Sequence, residues 1–305
     1  KLLFGPYNHN EKERGSSAVH SSWGKLQAAR AEEEQHWHQA QTTARKAARG
    51  IRSRNEFKLR CLSPSEIGTF TQVECVAEAV KVAVRSALIT NTDDVHFVQI
   101  KCPLLTSDRI ATSDDPTATN DTLKSMGLSR GASSLGVALG LGEIDIGTAK
   151  RAMAEGDRNI WSSRASASAG VELMGHEVLV LGMSAAWCGP MTVDHAVMAD
   201  AIDLAPVRAA MDRLKISSAN SLKAVFAKAE ASDEGLIREQ RHTMLNDSDI
   251  SSTRHARAFV GGVLAGLLGR TDLFVSGGAE HQGPNGGGPV ALIAECEIRN
   301  KEALE

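Results

Sequence analysis

Two lysines, two serines and two arginines recur at matched places in this 305-residue chain, the residue types from which a base, a nucleophile and donors directed at carbonyl oxygens can be made. Lys101 ends the apolar run VQIKCP and Lys228 ends VFAKAE. Ser168 and Ser276 lie in SAGVE and SGGAE, which share the pattern S-[AG]-G-x-E. Arg130 and Arg257 stand in LSRGASSLG and RHARAFVGG. Lys101 to Lys228 is 127 positions, Arg130 to Arg257 is also 127, and Ser168 to Ser276 is 108, so one insertion or deletion falls between arginine and serine. A lone strand lysine ordinarily faces solvent and blunts a sheet edge, but recurrence at one repeat position argues for a use. Burial that moved such an amine from ~10.4 to ~7 corresponds to roughly 4–5 kcal/mol and would leave a general base at neutral pH. Serine becomes a nucleophile only beside a base, and the lysine is the base that the repeats offer.

Small neighbours around each serine let the backbone approach a ligand and aim N–H groups at a carbonyl oxygen, as an oxyanion hole requires; a tight turn made for packing alone is the plain alternative. A planar guanidinium directs donors at carbonyl oxygens, each charge-assisted bond contributing about 1.5–3 kcal/mol, where the plain alternative is an exposed surface arginine. The glycine-rich segment GGAEHQGPNGGGP, with Glu230 two residues after Lys228, offers oxygen ligands to a hard cation, or else forms a mobile surface loop. His36 and His38, at i and i+2, would point to different sides of a helix and hold no metal there.

These residues need strands and helices to position them. Strand-like FKLRCLS precedes the amphipathic helix TQVECVAEAVKVAVRSAL and the apolar strand VHFVQIKCPLL. Further on, strand-like HEVLVLGMS precedes VDHAVMADAIDLAPVRAAM, read as a helix, and the strand LKAVFAKAE. Each half then continues with a Gly/Ala-rich helix opened by its arginine, and a strand ending in a small-residue turn. The order is an internal duplication of α/β units, expected over about 56–175 and 176–305, after a polar, partly helical segment 1–55.

Composition bounds the partners. One tyrosine and 4% aromatic residues disfavour a stacking nucleic-acid binder. No apolar run approaches the ~18 residues of a membrane span and the N-terminus shows no signal-peptide core, so a soluble, non-secreted protein is expected. The net charge of -3 hides a basic start: residues 1–60 hold twelve Lys/Arg against six Glu, leaving 22 basic and 31 acidic residues beyond. Five scattered cysteines, with no C-x-x-C, fit a reducing cytoplasm better than a disulfide framework or zinc site.

Taken together, VHFVQIKCPLLT, SMGLSRGASSLGVALGLGE, ASASAGVEL, VLVLGMSA, HAVMADAID, AVFAKAEA, RHTMLNDSDI, TRHARAFVGGVLAG and VSGGAEHQGPNGGGPVA resemble the ring-opening cyclic amidohydrolases of the cyanuric acid hydrolase and barbiturase family over about 56–295. The resemblance implies repeated α/β domains around a pseudo-threefold axis, of which two of three repeats are recognisable, the first having no counterpart in residues 1–55. It implies Lys101 as base and Ser168 as nucleophile, with Lys228 and Ser276 a secondary pair. Arg130, Arg257, Ser168, Ala169, Ser276 and Gly277 would bind a small cyclic amide, cyanuric acid first and barbituric acid next. It further implies a structural magnesium ion at Glu230, Ala279, Gln282, Gly283, Pro284 and Gly287, no organic cofactor, and a homotetramer. Because a third of the site is missing, the alternative is a remnant of the family that folds or binds a ring without turnover.

Overall fold

The glycines that join one helix to another show first how the sequence dictates packing. In a computed structural model, which describes residues 61–187, 189–216 and 220–295, helix α1 (Phe70–Ser86) buries Val73, Val76, Ala77, Val80, Ala83 and Val84 at i, i+3, i+4 spacing. After strand β1 (Val95–Pro103) and a short helix α2 (Ser107–Ala111), the long helix α3 (Thr122–Leu141) lies against α1. Asp121 caps α3 by accepting from Leu123 and Lys124 N–H, and Gly142, at φ 75°, ends it. A Cβ on Gly136 would stand 2.6 Å from Val76 Cβ and one on Gly140 2.9 Å from the Ala77 carbonyl oxygen, so these glycines set the distance between the helices. A buried polar tie adds to the contact: Gln72 Nε2 donates to Ser129 Oγ and Ser133 Oγ, both at 2.9 Å, and Ser129 Oγ donates to the Pro103 carbonyl at 2.6 Å. The helix that carries Arg130 is thereby pinned to the end of the strand that carries Lys101.

Helix α4 (Ile146–Glu155) and strands β2 (Ala165–Gly170) and β3 (Glu177–Gly182) complete the first unit, whose sheet runs β2-β1-β3 with β2 parallel and β3 antiparallel to β1. The second unit comprises β4 (Met191–Met198), helix α5 (Ala205–Arg213), β5 (Leu222–Ala229), a small hairpin of β6 (Leu236–Ile237) and β7 (Gln240–Arg241), helix α6 (Ser252–Leu268), β8 (Phe274–Gly277) and β9 (Gly288–Glu295). Its main sheet runs β4-β9-β5-β8, again with one parallel pair (β5·β8) beside an antiparallel one (β5·β9). Each sheet closes its own apolar core, one under α1 and α3 and the other under α5 and α6. Gly269 ends α6 at φ 66°, again 127 positions after its counterpart Gly142.

The α/β class and the duplication are both present, with its elements redistributed. Segment 193–211, read as one helix, is strand β4 followed by α5. Val193, Ala196 and Val197 carry a helical spacing, but pairing with β9 extends the chain from Met191 to Met198. Strand β3 is the last strand of the first sheet, not the first strand of the second half, so the two sheets divide between 182 and 191 rather than at 175/176. The strand expected at FKLRCLS falls mostly outside the described residues, and Cys61–Ser63 within them are not extended into a sheet. The interval difference between arginine and serine is explained by α4, which the second unit lacks: there the chain passes from Gly269 to β8 within a few residues. The helix expected in 1–55, with His36 and His38, lies outside the described residues. Cys75 and Cys102 are free thiols, and among the described residues no helix is long and apolar enough to cross a membrane.

Gly136→Ala should force a methyl into Val76 and the Val73 carbonyl and lower stability by about 1–3 kcal/mol. A urea melt should show a lower midpoint at unchanged slope; an unchanged midpoint would mean that the helices part freely.

Candidate active site

Parallel pairing places the two serine–lysine pairs in the same way. Lys101 on β1 is the register partner of Ser168 on β2, and Lys228 on β5 is the register partner of Ser276 on β8. Register partners in adjacent strands present their side chains on the same face, so each lysine lies beside its serine through backbone geometry alone. Both serines lie in the strands themselves rather than in a turn, and the glycines follow them. The two units then bring the pairs together: Ser168 Oγ and Ser276 Oγ are 3.2 Å apart.

The lysines differ in surroundings. Lys228 is 1% exposed. Its Nζ donates to Ser276 Oγ at 3.0 Å, to the Ala167 carbonyl of the first unit at 2.9 Å and to the Gly277 carbonyl at 3.4 Å. Burial, reinforced by the nearby Arg130 charge, lowers its pKa to about 7. Lys101 is part-exposed and donates to Glu172 Oε1 at 3.1 Å. Burial alone would raise Glu172, but its own backbone N–H and Lys101 hold it below the usual carboxylate range.

The arginines depart from the sequence reading. Neither opens its helix: Arg130 lies in the middle of α3 and Arg257 in the second turn of α6. Arg130 grips Glu280 of the other unit through two bonds, Nε at 2.8 Å and Nη2 at 2.6 Å. Burial would raise the Glu280 carboxyl, and Arg130 brings it below its usual value. Arg257 is exposed, donates from Nε to the Val275 carbonyl at 3.3 Å, and borders an open groove of about 510 Å³ with Ala258, Gly261 and Val275. Glu172 and Glu280 hold the same place in S-[AG]-G-x-E, yet Glu280 reaches across to the other unit's arginine while Glu172 reaches its own unit's lysine. Those glutamates were in the quoted pattern but were not assigned a part by sequence reasoning; the shared fifth position was the available signal.

The segment after Ser276 is buried and closely packed, not a mobile surface loop. A Cβ on Gly287 would stand 2.0 Å from the Met198 carbonyl oxygen, and Gly283, at φ 98°, packs on Gly288. Glu230 Oε2 accepts from Ala279 N–H at 3.0 Å, and Oε1 accepts from Ala231 N–H at 3.1 Å. Gln282 Oε1 accepts from Ala167 N–H at 2.6 Å, and its Nε2 donates to the Gly278 and Glu280 carbonyls. The carbonyls of Ala279 and Pro284 accept turn bonds from Gln282 and Gly287 N–H. Glu230, just after β5, thus meets the folded segment that carries Ala279, Gln282, Gly283, Pro284 and Gly287. These six offer oxygen donors, with Glu230 the one carboxylate among them, the chemistry that suits a hard divalent cation rather than a soft one.

Comparison with known proteins settles the lineage of this geometry. The model of the amidohydrolase ring-opening protein family matches residues 38–295. The chain belongs to that family. It is 60% identical over 239 residues to a cyanuric acid amidohydrolase of Rhizobium johnstonii, covering 77% of this chain and 68% of the relative. Against the cyanuric acid amidohydrolase of Azorhizobium caulinodans, identity is 58% over 231 residues, covering 75% of this chain and 65% of the relative. A crystal structure of the cyanuric acid hydrolase from A. caulinodans superposes with a TM-score of 0.75 at 55% identity, over 79% of this chain and 69% of the other. A second cyanuric acid hydrolase structure, described as evolutionary innovation by structural concatenation, gives 0.74 at 48% identity over 78% and 67%. Concatenated repeats agree with the two like sheets seen here. The chain thus spans about two thirds of the length of these family members.

The buried amine predicts a pH signature. The folded state holds Lys228 near pKa 7 and the unfolded chain near 10.5, so the unfolded state binds more protons between those values. The penalty is complete below pH 7 and disappears as pH rises toward 10.5. Relative to Lys228→Met, the wild-type chain should therefore gain stability between pH 7 and 10, by a few kcal/mol, in chemical denaturation; parallel pH curves for the two chains would refute a neutralised amine.

Proposed function

We propose that this chain is a hydrolase that opens a small cyclic amide, cyanuric acid first and barbituric acid second, with serine as nucleophile and lysine as base. The repeated register that sets each lysine beside its serine, with the two serine oxygens 3.2 Å apart, is the observation that carries this reading. The family supports it, since its named relatives are cyanuric acid amidohydrolases.

In this reading Ser168 Oγ attacks a ring carbonyl carbon and gives its proton to Lys101. The amide C–N bond breaks, the lysine returns the proton to the leaving nitrogen, and water hydrolyses the acyl-serine. N–H groups at Ala169 and Gly277 face developing charge on oxygen, and Arg130 and Arg257 direct donors at the remaining carbonyls. A specific contact favours a second assignment of the base: Lys228 donates to Ser276 Oγ, which in turn lies against Ser168 Oγ, while Lys101 is engaged with Glu172. A neutral Lys228 amine could accept the Ser168 proton through Ser276.

A magnesium ion at Glu230 and the loop carbonyls of Ala279, Gly283, Pro284 and Gly287, with Gln282, would act structurally. It would hold the segment that carries Glu280 and Gly278 against the first unit; the residues fit such an ion by their oxygen chemistry. The enzyme acts in this reading as a cytoplasmic homotetramer. The exposure of Arg257 and the Lys101–Glu172 ion pair favour an alternative, a chain that folds and binds a ring without turning it over.

An assay of cyanuric and barbituric acid consumption by the purified chain separates these. Under the enzymatic reading Ser168→Ala removes at least ~10³-fold of the rate. Whichever of Lys101→Met and Lys228→Met causes the comparable loss identifies the base. If Lys228 serves, the rate rises with pH through about 7 as the amine loses its proton. Ring binding by the folded wild-type chain without turnover of either compound would establish the alternative instead.

A further inference from the structure

Where β1 of the first sheet meets β4 of the second, three metal-ligating side chains converge. His96 is on β1 of the first sheet, and Asp194 and His195 are on β4 of the second. His96 Nδ1 and His195 Nδ1 are 3.0 Å apart, and His96 Nδ1 is 3.5 Å from Asp194 Oδ1. Ligand atoms of the three residues lie within 4.8 Å of one another, and this is the one such group of His, Cys, Asp or Glu among the described residues. None of the three belongs to the lysine–serine site or to the oxygen-lined segment around Glu230.

The separations have a chemical meaning. Two ligands about 2.0–2.1 Å from a tetrahedral centre stand roughly 3.3 Å apart. The His96–His195 and His96–Asp194 separations lie a few tenths of an ångström to either side of that value, and the third lies within 4.8 Å. Arg213 Nε holds the other carboxylate oxygen, Asp194 Oδ2, at 2.6 Å, and the His195 backbone N–H donates to Oδ1 at 2.7 Å, so the carboxylate is oriented before any ion arrives. His96 and Asp194 side chains are 17% and 13% exposed, so solvent reaches the edge of the cluster. Two imidazoles and one carboxylate suit a borderline transition ion such as zinc rather than magnesium or calcium.

We propose that His96, His195 and Asp194 form a zinc-class transition-metal site that ties the first sheet to the second. The charges around it are compatible. Burial, with the neighbouring cations Arg164 and Arg213 set against Asp194, lowers both imidazoles from their ordinary value. Of the two cations, Arg213 is paired with Asp194, and Arg164 with Glu143 and, more distantly, Asp93; Asp94 adds negative charge beside His96. One imidazole donates its Nδ1 proton to the other in the metal-free state; that proton moves to Nε2 when Nδ1 takes the ion, so no net proton transfer is required.

The test is a Zn²⁺ titration of the full chain in excess Mg²⁺, followed calorimetrically, and a parallel Co²⁺ titration followed by visible spectroscopy. Expected are one Zn²⁺ per chain, at least tenfold weaker in His96→Ala and in His195→Ala, and a Tm rise of roughly 5 °C in wild type at a hundredfold excess over its Kd, with at most about half that rise in either variant at the same zinc concentration. Zinc affinity unchanged in both folded variants, or no binding by the wild-type chain, would overturn the site. Should the variants fail to fold, the Co²⁺ spectrum of the wild-type chain decides: intense tetrahedral bands without thiolate charge transfer support the site, whereas octahedral or thiolate-type spectra refute it.

Discussion

A lysine amine buried between two β-sheets is the constraint on which the centre of this molecule depends. Moving Lys228 from water to its 1% exposed position disfavours the ammonium form by an amount on the order of 5 kcal/mol, read from a pKa brought to about 7. Such a group is tolerable only if its N–H bonds are made, and the partners come from both units: Ser276 Oγ and the Gly277 carbonyl from its own, the Ala167 carbonyl from the other. Ala167 lies on β2, the edge strand of the first sheet, whose outward backbone groups would otherwise be unpaired. Its carbonyl goes to Lys228 and its N–H to Gln282, so one edge residue is satisfied twice by the second unit. The sheets are joined by the same bonds that bring the serines together.

Around that centre the two units are alike in backbone and unlike in electrostatics. Register, helix-ending glycines and the S-[AG]-G-x-E segment coincide, but the charges are distributed differently. Glu280 is committed to Arg130 of the first unit by a two-pronged, largely buried ion pair, a geometry that fixes orientation as well as charge. Glu172, its counterpart, lies on Lys101 of its own unit. Arg257, the counterpart of Arg130, faces an open groove. Sequence equivalence therefore does not carry over to chemical equivalence.

The glycine-rich segment between β8 and β9 has a further role as a wedge. Its glycines allow backbone to lie against the Met198 and Lys228 carbonyls at distances that no side chain permits. That places Glu280 against α3, lets His281 Nδ1 donate to the Ile160 carbonyl at 2.6 Å, and turns Gln282 onto β2. Its acidic and amide groups are thereby used on the first unit, and Glu230 holds the segment from behind through Ala279 N–H.

Much of this was legible from residue order. The equal 127-residue intervals identified the duplication, and the unequal third one identified the inserted α4, because a repeated fold preserves chain length between equivalent positions except where an element is added. Amphipathic spacing identified α1, and apolar runs identified β1 and β5. Local pattern failed at β4, where a helical spacing of Val193, Ala196 and Val197 was overridden by pairing with β9, and at β3, whose membership of the first sheet depends on a partner 80 residues earlier. The sequence by itself determined which residue types stand in equivalent positions, since spacing and pattern are properties of one dimension. Only the tertiary structure decided which lysine is desolvated, which glutamate meets which arginine, and that His96 faces Asp194 and His195, because burial and charge pairing depend on segments that meet only when the two sheets pack together.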